Sequence, residues 1–224
     1  MALHQRILFG NKDTTDYPEI KTVTLGNTNC GKTSLIQMFI RRNIKQAEIQ
    51  AGSAFNRFKF LLGNKERNPN SENVLLGIWD TTGDKHFYSI STYYQRNSFV
   101  VLVCYDMSDS KSLDNVAFWC EKVRKYSEDR LIYIVGCKSD LEKKICPLEL
   151  KALVHKYKAK TFETSSYTGE NLKKLFIQLY YDYLEEKRRQ DQVVKPSPSE
   201  LKELEALIRA SMKALDTSLC VAYA

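Results

Sequence analysis

Apolar and polar positions along this chain fall into strand-length runs that alternate with longer stretches of helical recurrence. Ile20, Val23 and Leu25 make a short strand pattern, and the run from Ser34 to Ile40 follows with apolar residues at helical spacing. Residues 73–79 and 98–105 read as strands, 111–126 as a helix and 130–137 as another strand. A helix near 147–157, a short strand around 160–163 and a long helix from 171 to about 188 complete the order. Such alternation implies right-handed βαβ crossovers, and therefore an α/β fold with a central, mostly parallel sheet and helices on both faces. Val100–Val103 and Leu131–Val135 are apolar throughout, as strands covered on both faces should be. Ligands of such sheets sit outside the C-terminal strand ends.

The rest of the pattern divides the chain. Residues 61–73 are rich in Gly, Asn and Pro and longer than a tight hairpin, so they read as an exposed loop. After about residue 188 the apolar periodicity stops. Residues 189–198 read as a linker, and Ser197-Pro198-Ser199-Glu200 offers a capping box. A short amphipathic helix is expected over 199–216, with Leu201, Leu204, Leu207, Ile208, Met212 and Leu215 on one side. Docking on the parent domain, a partner groove and a membrane surface are all open for that face. The organisation expected is a variable extension over 1–17, a principal domain over 18–188, the linker, the helix and a tail over 217–224.

Composition narrows the class without naming it. A chain of 224 residues with 43% hydrophobic content can bury one sizeable core. No run approaches the roughly 18–20 apolar residues of a membrane span, and the first residues lack a signal-peptide core, so an intracellular, cytoplasmic protein is expected. Six cysteines (Cys30, Cys104, Cys120, Cys137, Cys146, Cys220) show no C-x-x-C spacing, which suggests neither a zinc site nor a disulfide framework. The formal charge is +7; residues 185–224 hold seven acidic and seven basic side chains, so the excess lies in residues 1–184. That excess suits a polyanionic nucleotide or an anionic membrane surface, and a solvated basic face with no partner fits equally. No aromatic-interleaved basic run argues for nucleic acid.

Gly26-Asn27-Thr28-Asn29-Cys30-Gly31-Lys32-Thr33 fits the phosphate-binding loop G-x-x-x-x-G-K-[ST], and it lies between a strand pattern and a helix pattern. A phosphate chain would there meet converging backbone N–H groups and a helix dipole. Gly26 and Gly31 can take unusual dihedrals, Lys32 can reach outer phosphates and the Thr33 hydroxyl can ligate Mg²⁺. Candidate phosphate contacts are Gly26, Thr28, Asn29, Cys30, Gly31, Lys32, Thr33 and Ser34.

Polar clusters stand at the ends of the later strands. Trp79-Asp80-Thr81-Thr82-Gly83 follows one, Cys137-Lys138-Ser139-Asp140 another, and Glu163-Thr164-Ser165-Ser166-Tyr167-Thr168-Gly169-Glu170-Asn171-Leu172 the last. In this order, behind the phosphate loop, they resemble the nucleotide-binding motifs of the Ras superfamily of small GTPases, and the tryptophan before Asp80 and the final stretch resemble the Rab family. The resemblance spans about residues 18–185. It implies a P-loop NTPase fold binding GTP or GDP with Mg²⁺, with Asp80 on the metal through a water and the Gly83 amide on the γ-phosphate. It further implies that Asp140 reads the guanine edge, that the Lys138 stem lies along the base and that Ser165 and Ser166 support it. An adenine-nucleotide kinase or ATPase is disfavoured by Asp140 and the final stretch.

Departures from the family pattern concentrate where such proteins switch and hydrolyse. Cys137 stands where the base motif opens with Asn, and a thiol is a weak donor and acceptor, so affinity should fall more than specificity. Counting back from Gly52 puts Gln50 where the family carries a metal-binding Thr; no threonine occurs between Thr33 and Thr81, and no aromatic between Phe39 and Phe55 can pack on the base. Asp84 follows Gly83 where the family carries the Gln that orients water. Its carboxylate cannot donate to the γ-phosphate and would be repelled by it, which makes hydrolysis slow or absent without a partner. An Asp84 that simply points to solvent is equally open. Cys220 lies one place too early for a C-a-a-X box, which argues against stable lipid anchoring. Two functions follow as expectations: a GTP-dependent regulator of vesicle traffic, or a non-hydrolysing module that recruits partners. Either would be a monomer meeting effector and regulator proteins, with peripheral membrane contact open.

Overall fold

The computed structural model describes residues 18–43, 48–51, 55–62, 74–84, 93–127 and 130–192. In chain order these are β1 (Glu19–Leu25), α1 (Lys32–Asn43), β2 (Glu48–Ala51), β3 (Phe55–Leu62), β4 (Val74–Thr81), β5 (Val100–Asp106), α2 (Ser112–Tyr126), β6 (Leu131–Cys137), α3 (Pro147–Lys156), β7 (Lys160–Glu163) and α4 (Leu172–Gln192). The strands form one seven-stranded sheet in the order β2-β3-β4-β1-β5-β6-β7. β3 pairs antiparallel with β2 and β4, and β4, β1, β5, β6 and β7 run parallel. The expected α/β architecture with a mostly parallel sheet is the one observed.

Burial explains why these segments take these forms. Val100, Val101, Leu102 and Val103 have no exposed surface, so β5 is covered on both faces and its β-branched residues suit that position. On one face, Val101, Val103 and Tyr105 of β5 and Ile132 and Ile134 of β6 pack with Leu113, Val116, Trp119, Cys120 and Val123 of α2. Those five α2 positions recur with the helical period, the residue-level reason that this segment is a helix. Trp119 is among the largest fully buried side chains; Trp119→Ala would cost about 3–5 kcal/mol. The apolar stripes of α1 (Leu35, Ile36, Phe39) and α4 (Leu172, Leu175, Phe176, Leu179) are likewise buried, and Phe39 and Phe176 meet with ring centroids 3.9 Å apart.

Helix ends follow their local chemistry. Pro147 opens α3, where its missing N–H is no loss. Asp114 lies in the first turn of α2 and Arg124 and Lys125 in its last, each sign favourable to the helix dipole. Two boundaries differ from the sequence reading. Leu61 and Leu62 belong to β3, opposite Leu75 and Val74, and not to the 61–73 loop, because the register with β4 extends that far. The last helix continues past Arg188 to Gln192, into the stretch read as linker, where Arg189 pairs with Glu185 at 2.5 Å and Glu186 at 3.8 Å, one turn back. The 1–17 extension, the 199–216 helix and Cys220 lie outside the described residues. Among the described residues no helix is long and apolar enough to cross a membrane.

Candidate functional site

The loop after β1 is held open by backbone conformations that few side chains tolerate. Gly26 has φ +141°, and a Cβ there would lie 2.3 Å from the Cys104 carbonyl oxygen. Gly31 has φ +111°, and Asn29, at φ 64°, occupies the left-handed region that Asn accepts better than most residues. The Gly31 carbonyl accepts from the Leu35 N–H at 2.9 Å, so the helical ladder starts within the loop and α1 directs its N-terminus there. Lys32 is only 4% exposed, and its Nζ donates to the carbonyls of Gly26 (3.0 Å) and Asn27 (2.7 Å), arching back over the loop. Thr28, Asn29 and Ser34 are exposed at the rim, while Cys30 is buried. Burial pushes the Cys30 thiol up to about 11 against the opposing pull of Lys32, so it stays neutral.

β4 pairs with β1 and so delivers Asp80 beside this loop. Thr33 Oγ1 donates to Asp80 Oδ2 at 2.6 Å and Thr24 Oγ1 donates to Oδ1 at 3.1 Å. Asp80 is 2% exposed, and burial raises its pKa while the Thr33 bond, the Lys32 charge and the Thr24 bond oppose that rise. A buried carboxylate fed by two neutral hydroxyls suits a cation. Among the described residues no group of three or more His, Cys, Asp or Glu could hold a metal by itself. Thr33 and Asp80 therefore fit an ion such as Mg²⁺, which characteristically uses one or two protein oxygens and completes its shell with water and phosphate. Gly83 (φ +73°) stands over the loop, where a Cβ would meet Gly26 O at 2.4 Å and Lys32 Nζ at 2.5 Å. Asp84 is half-buried, and its N–H donates to Thr82 Oγ1 at 3.3 Å. Gln50 lies in β2, paired with Arg57.

The second half of the site grows from the ends of β6 and β7. Cys137 is buried beneath the turn, and Lys138 takes φ 62°, strained for a long side chain, with its ammonium paired to Asp106 at the end of β5. Burial raises the Asp106 pKa, but the Lys138 bond and two bonds from Ser108 outweigh it and hold the carboxyl below its ordinary value. Ser139 N donates to Thr164 O at 3.0 Å and Thr164 N to Gly136 O at 2.7 Å, which binds the two turns together. Ser165 Oγ donates to Asp140 Oδ1, while Asp140 itself stays exposed. Ser166 is half-buried beside it.

The phosphate loop and the three strand-end clusters thus lie at the C-terminal edge of the parallel strands. The phosphate loop, Asp80 and Gly83 form one group; Lys138, Asp140, Ser165 and Ser166 form another, with Cys137 bridging the two. Asp106, Thr24 and Arg42 escaped the sequence reading. Arg42 Nη1 donates to Thr168 O at 2.5 Å and fills the space a Cβ on Gly169 would occupy. A polar residue closing an apolar strand is the signal that could have revealed Asp106.

Comparison with known proteins agrees with this geometry. The Ras family model matches residues 21–185. The chain is 33% identical over 186 residues to the Ras-related protein Rab-24 of Dictyostelium discoideum, covering 81% of this chain and 89% of that protein. It is 27% identical over 209 residues to RABE1e of Arabidopsis thaliana (91% and 93% covered) and 28% identical over 173 residues to Rab-2B of D. discoideum (75% and 82% covered). Motifs, sheet order and relatives agree, and the chain belongs to the Ras family as a Rab-like small GTPase.

Proposed function

We propose that this chain binds GTP and GDP with Mg²⁺ along the C-terminal edge of its sheet and regulates vesicle-mediated transport through partners that sense the nucleotide, with slow intrinsic hydrolysis. The observation that carries the reading is the pairing of two carboxylates with hydroxyls at the two ends of one edge: Asp80 with Thr33, and Asp140 with Ser165. In this reading the phosphate loop and Lys32 take the phosphates, Thr33 and Asp80 hold the ion, Gly83 presents its amide to the outer phosphate, and Asp140 reads guanine. When bound, Mg²⁺ would neutralise phosphate charge and orient its oxygens. A base lacking the guanine edge would leave the Asp140 carboxylate unpaired, the physical origin of strong discrimination.

Asp84 favours a second reading, a non-hydrolysing module that keeps GTP as a structural ligand and recruits partners through one fixed surface. Nucleotide extraction from the purified chain separates the two. Bound GDP supports the working enzyme, bound GTP supports the inert module, and an empty site that also fails to take up guanine nucleotide in calorimetry overturns both.

A further inference from the structure

A parallel strand covered on both faces is expected to be apolar throughout, yet β1 carries Thr22 and Thr24, neither with any exposed surface. Side chains alternate along a strand, so the two hydroxyls start from the same face of the sheet. Their surroundings differ. Thr22 Oγ1 has no hydrogen-bond partner among the described residues. Thr24 stands opposite Asp80 in the register of β1 with β4, and its Oγ1 donates to Asp80 Oδ1 at 3.1 Å. The Trp79 carbonyl lies at 3.3 Å from the same hydroxyl, but a hydroxyl has one proton, and the nearer, carboxylate oxygen is the better acceptor. Asp80 is thereby held at both oxygens, by Thr24 from within the sheet at Oδ1 and by Thr33 from the start of α1 at Oδ2, 2.6 Å away. With the Thr33 proton committed to Oδ2, the lone pairs of the Thr33 oxygen are left for a cation. That arrangement lasts only while Oδ2 faces Thr33. The χ2 torsion of an aspartate is broad and roughly two-fold, so the carboxylate turns readily unless its second oxygen is tied.

Resting on the nucleotide and Mg²⁺ reading of this site, we infer that Thr24 is a positioning residue for the metal: its hydroxyl locks the Asp80 carboxylate in the orientation that Thr33 and the ion require. Thr24 acts through Asp80 and needs no contact of its own with nucleotide or ion. The reading also explains why a hydroxyl is buried there, since valine suits a buried strand equally well and has no polar atom to satisfy.

The test measures, on the full chain, the Mg²⁺ concentration that half-maximally slows release of N-methylanthraniloyl-GDP. Thr24→Val should need about tenfold more Mg²⁺, as expected for one lost hydrogen bond to a charged group, and Thr24→Ala, a second variant without the hydroxyl, should shift the same way. Thr24→Ser restores the hydroxyl and should stay within about threefold of the unaltered chain. Thr22→Val removes an equally buried hydroxyl from the same strand and should leave the Mg²⁺ requirement unchanged. In an Asp80→Asn background, adding Thr24→Val should leave GDP release as it was, because the group that Thr24 orients is already gone. An unchanged Mg²⁺ requirement in the Thr24→Val and Thr24→Ala variants overturns the inference alone, even if their Tm falls, because Thr24 would then serve only the fold. An equal shift in Thr22→Val, no rescue by serine, or an added effect in the Asp80→Asn background overturns it too. GDP release from the unaltered chain that ignores Mg²⁺ overturns the site reading and this inference with it.

Discussion

The phosphate loop and the turn after β6 touch at Gly31 and Cys137, where a Cβ on Gly31 would lie 2.9 Å from that of Cys137 and 3.4 Å from its Sγ. Van der Waals contact holds the two halves of the site together where a side-chain amide could have bonded them, since a thiol is a poor donor and acceptor. Cys137→Asn should restore an oriented hydrogen bond of about 1 kcal/mol and slow GDP release several-fold. Gly31→Ala should abolish tight binding, because φ +111° and the crowding against Cys137 both oppose a Cβ. Labelled-GDP release kinetics check both; Cys137→Asn releasing as fast as the unaltered chain would remove the thiol from the account.

Asp84 follows Gly83, which stands over the loop close to Lys32, and in the proposed reading its carboxylate faces an outer phosphate. Repulsion of about 1–4 kcal/mol at 4 Å, in solvent-like to surface-like dielectric, corresponds to roughly fivefold to thousandfold in rate. Asp84→Gln should therefore raise single-turnover GTP hydrolysis at least about fivefold while leaving GDP affinity within about threefold. Rapid hydrolysis by the unaltered chain, or no gain in the variant, would show that Asp84 does not face the phosphate.

The Asp106–Lys138 pair has a definite pH signature. The folded-state pKa of Asp106 is depressed below its ordinary 3.8, so the stabilisation is complete above the ordinary carboxylate range and is lost as pH falls through the lowered folded value. With both partners partly solvated, the pair contributes about 1 kcal/mol, or about 2–4 °C in Tm. The Tm gap between the unaltered chain and Asp106→Asn should stay constant from about pH 5 to 7 and narrow below about pH 4. A gap that narrows near neutral pH would assign it to some other group.

Strands β5 and β6 were legible because burial on both faces demands unbroken apolar runs, and α2 and α4 because their stripes repeat at the helical period. The phosphate loop could be read from residue chemistry and its flanking elements. The roles expected of Asp80, Gly83, Lys138 and Asp140 came instead through family resemblance, since single polar residues after strands carry little signal alone. Thr24, Asp106 and Arg42 stayed hidden because their partners arrive only through tertiary packing: β4 against β1, β6 against β5, and the loop after β7 against the end of α1. The end of α4 was misjudged because Glu185, Glu186 and Arg189 lack apolar periodicity and extend the helix with charge pairs.

Asp80 sets apart folding and binding in a measurable way. Its carboxylate is buried with hydrogen bonds from two neutral hydroxyls, and burial lifts its pKa, so the ionised form is a cost to the metal-free protein. Asp80→Asn keeps the shape and an acceptor for Thr33 but removes the charge. The nucleotide-free, metal-free variant should melt no lower than the unaltered chain and up to about 4 °C higher, corresponding to about 1 kcal/mol. Binding should move in the opposite direction. Chelating Mg²⁺ should accelerate GDP release from the unaltered chain about tenfold or more, and Asp80→Asn should release quickly with or without the chelator. A variant that keeps the chelator response would show that the ion is held by other groups, whereas a lower melting point with normal release would reduce Asp80 to a structural acceptor for Thr33 and Thr24.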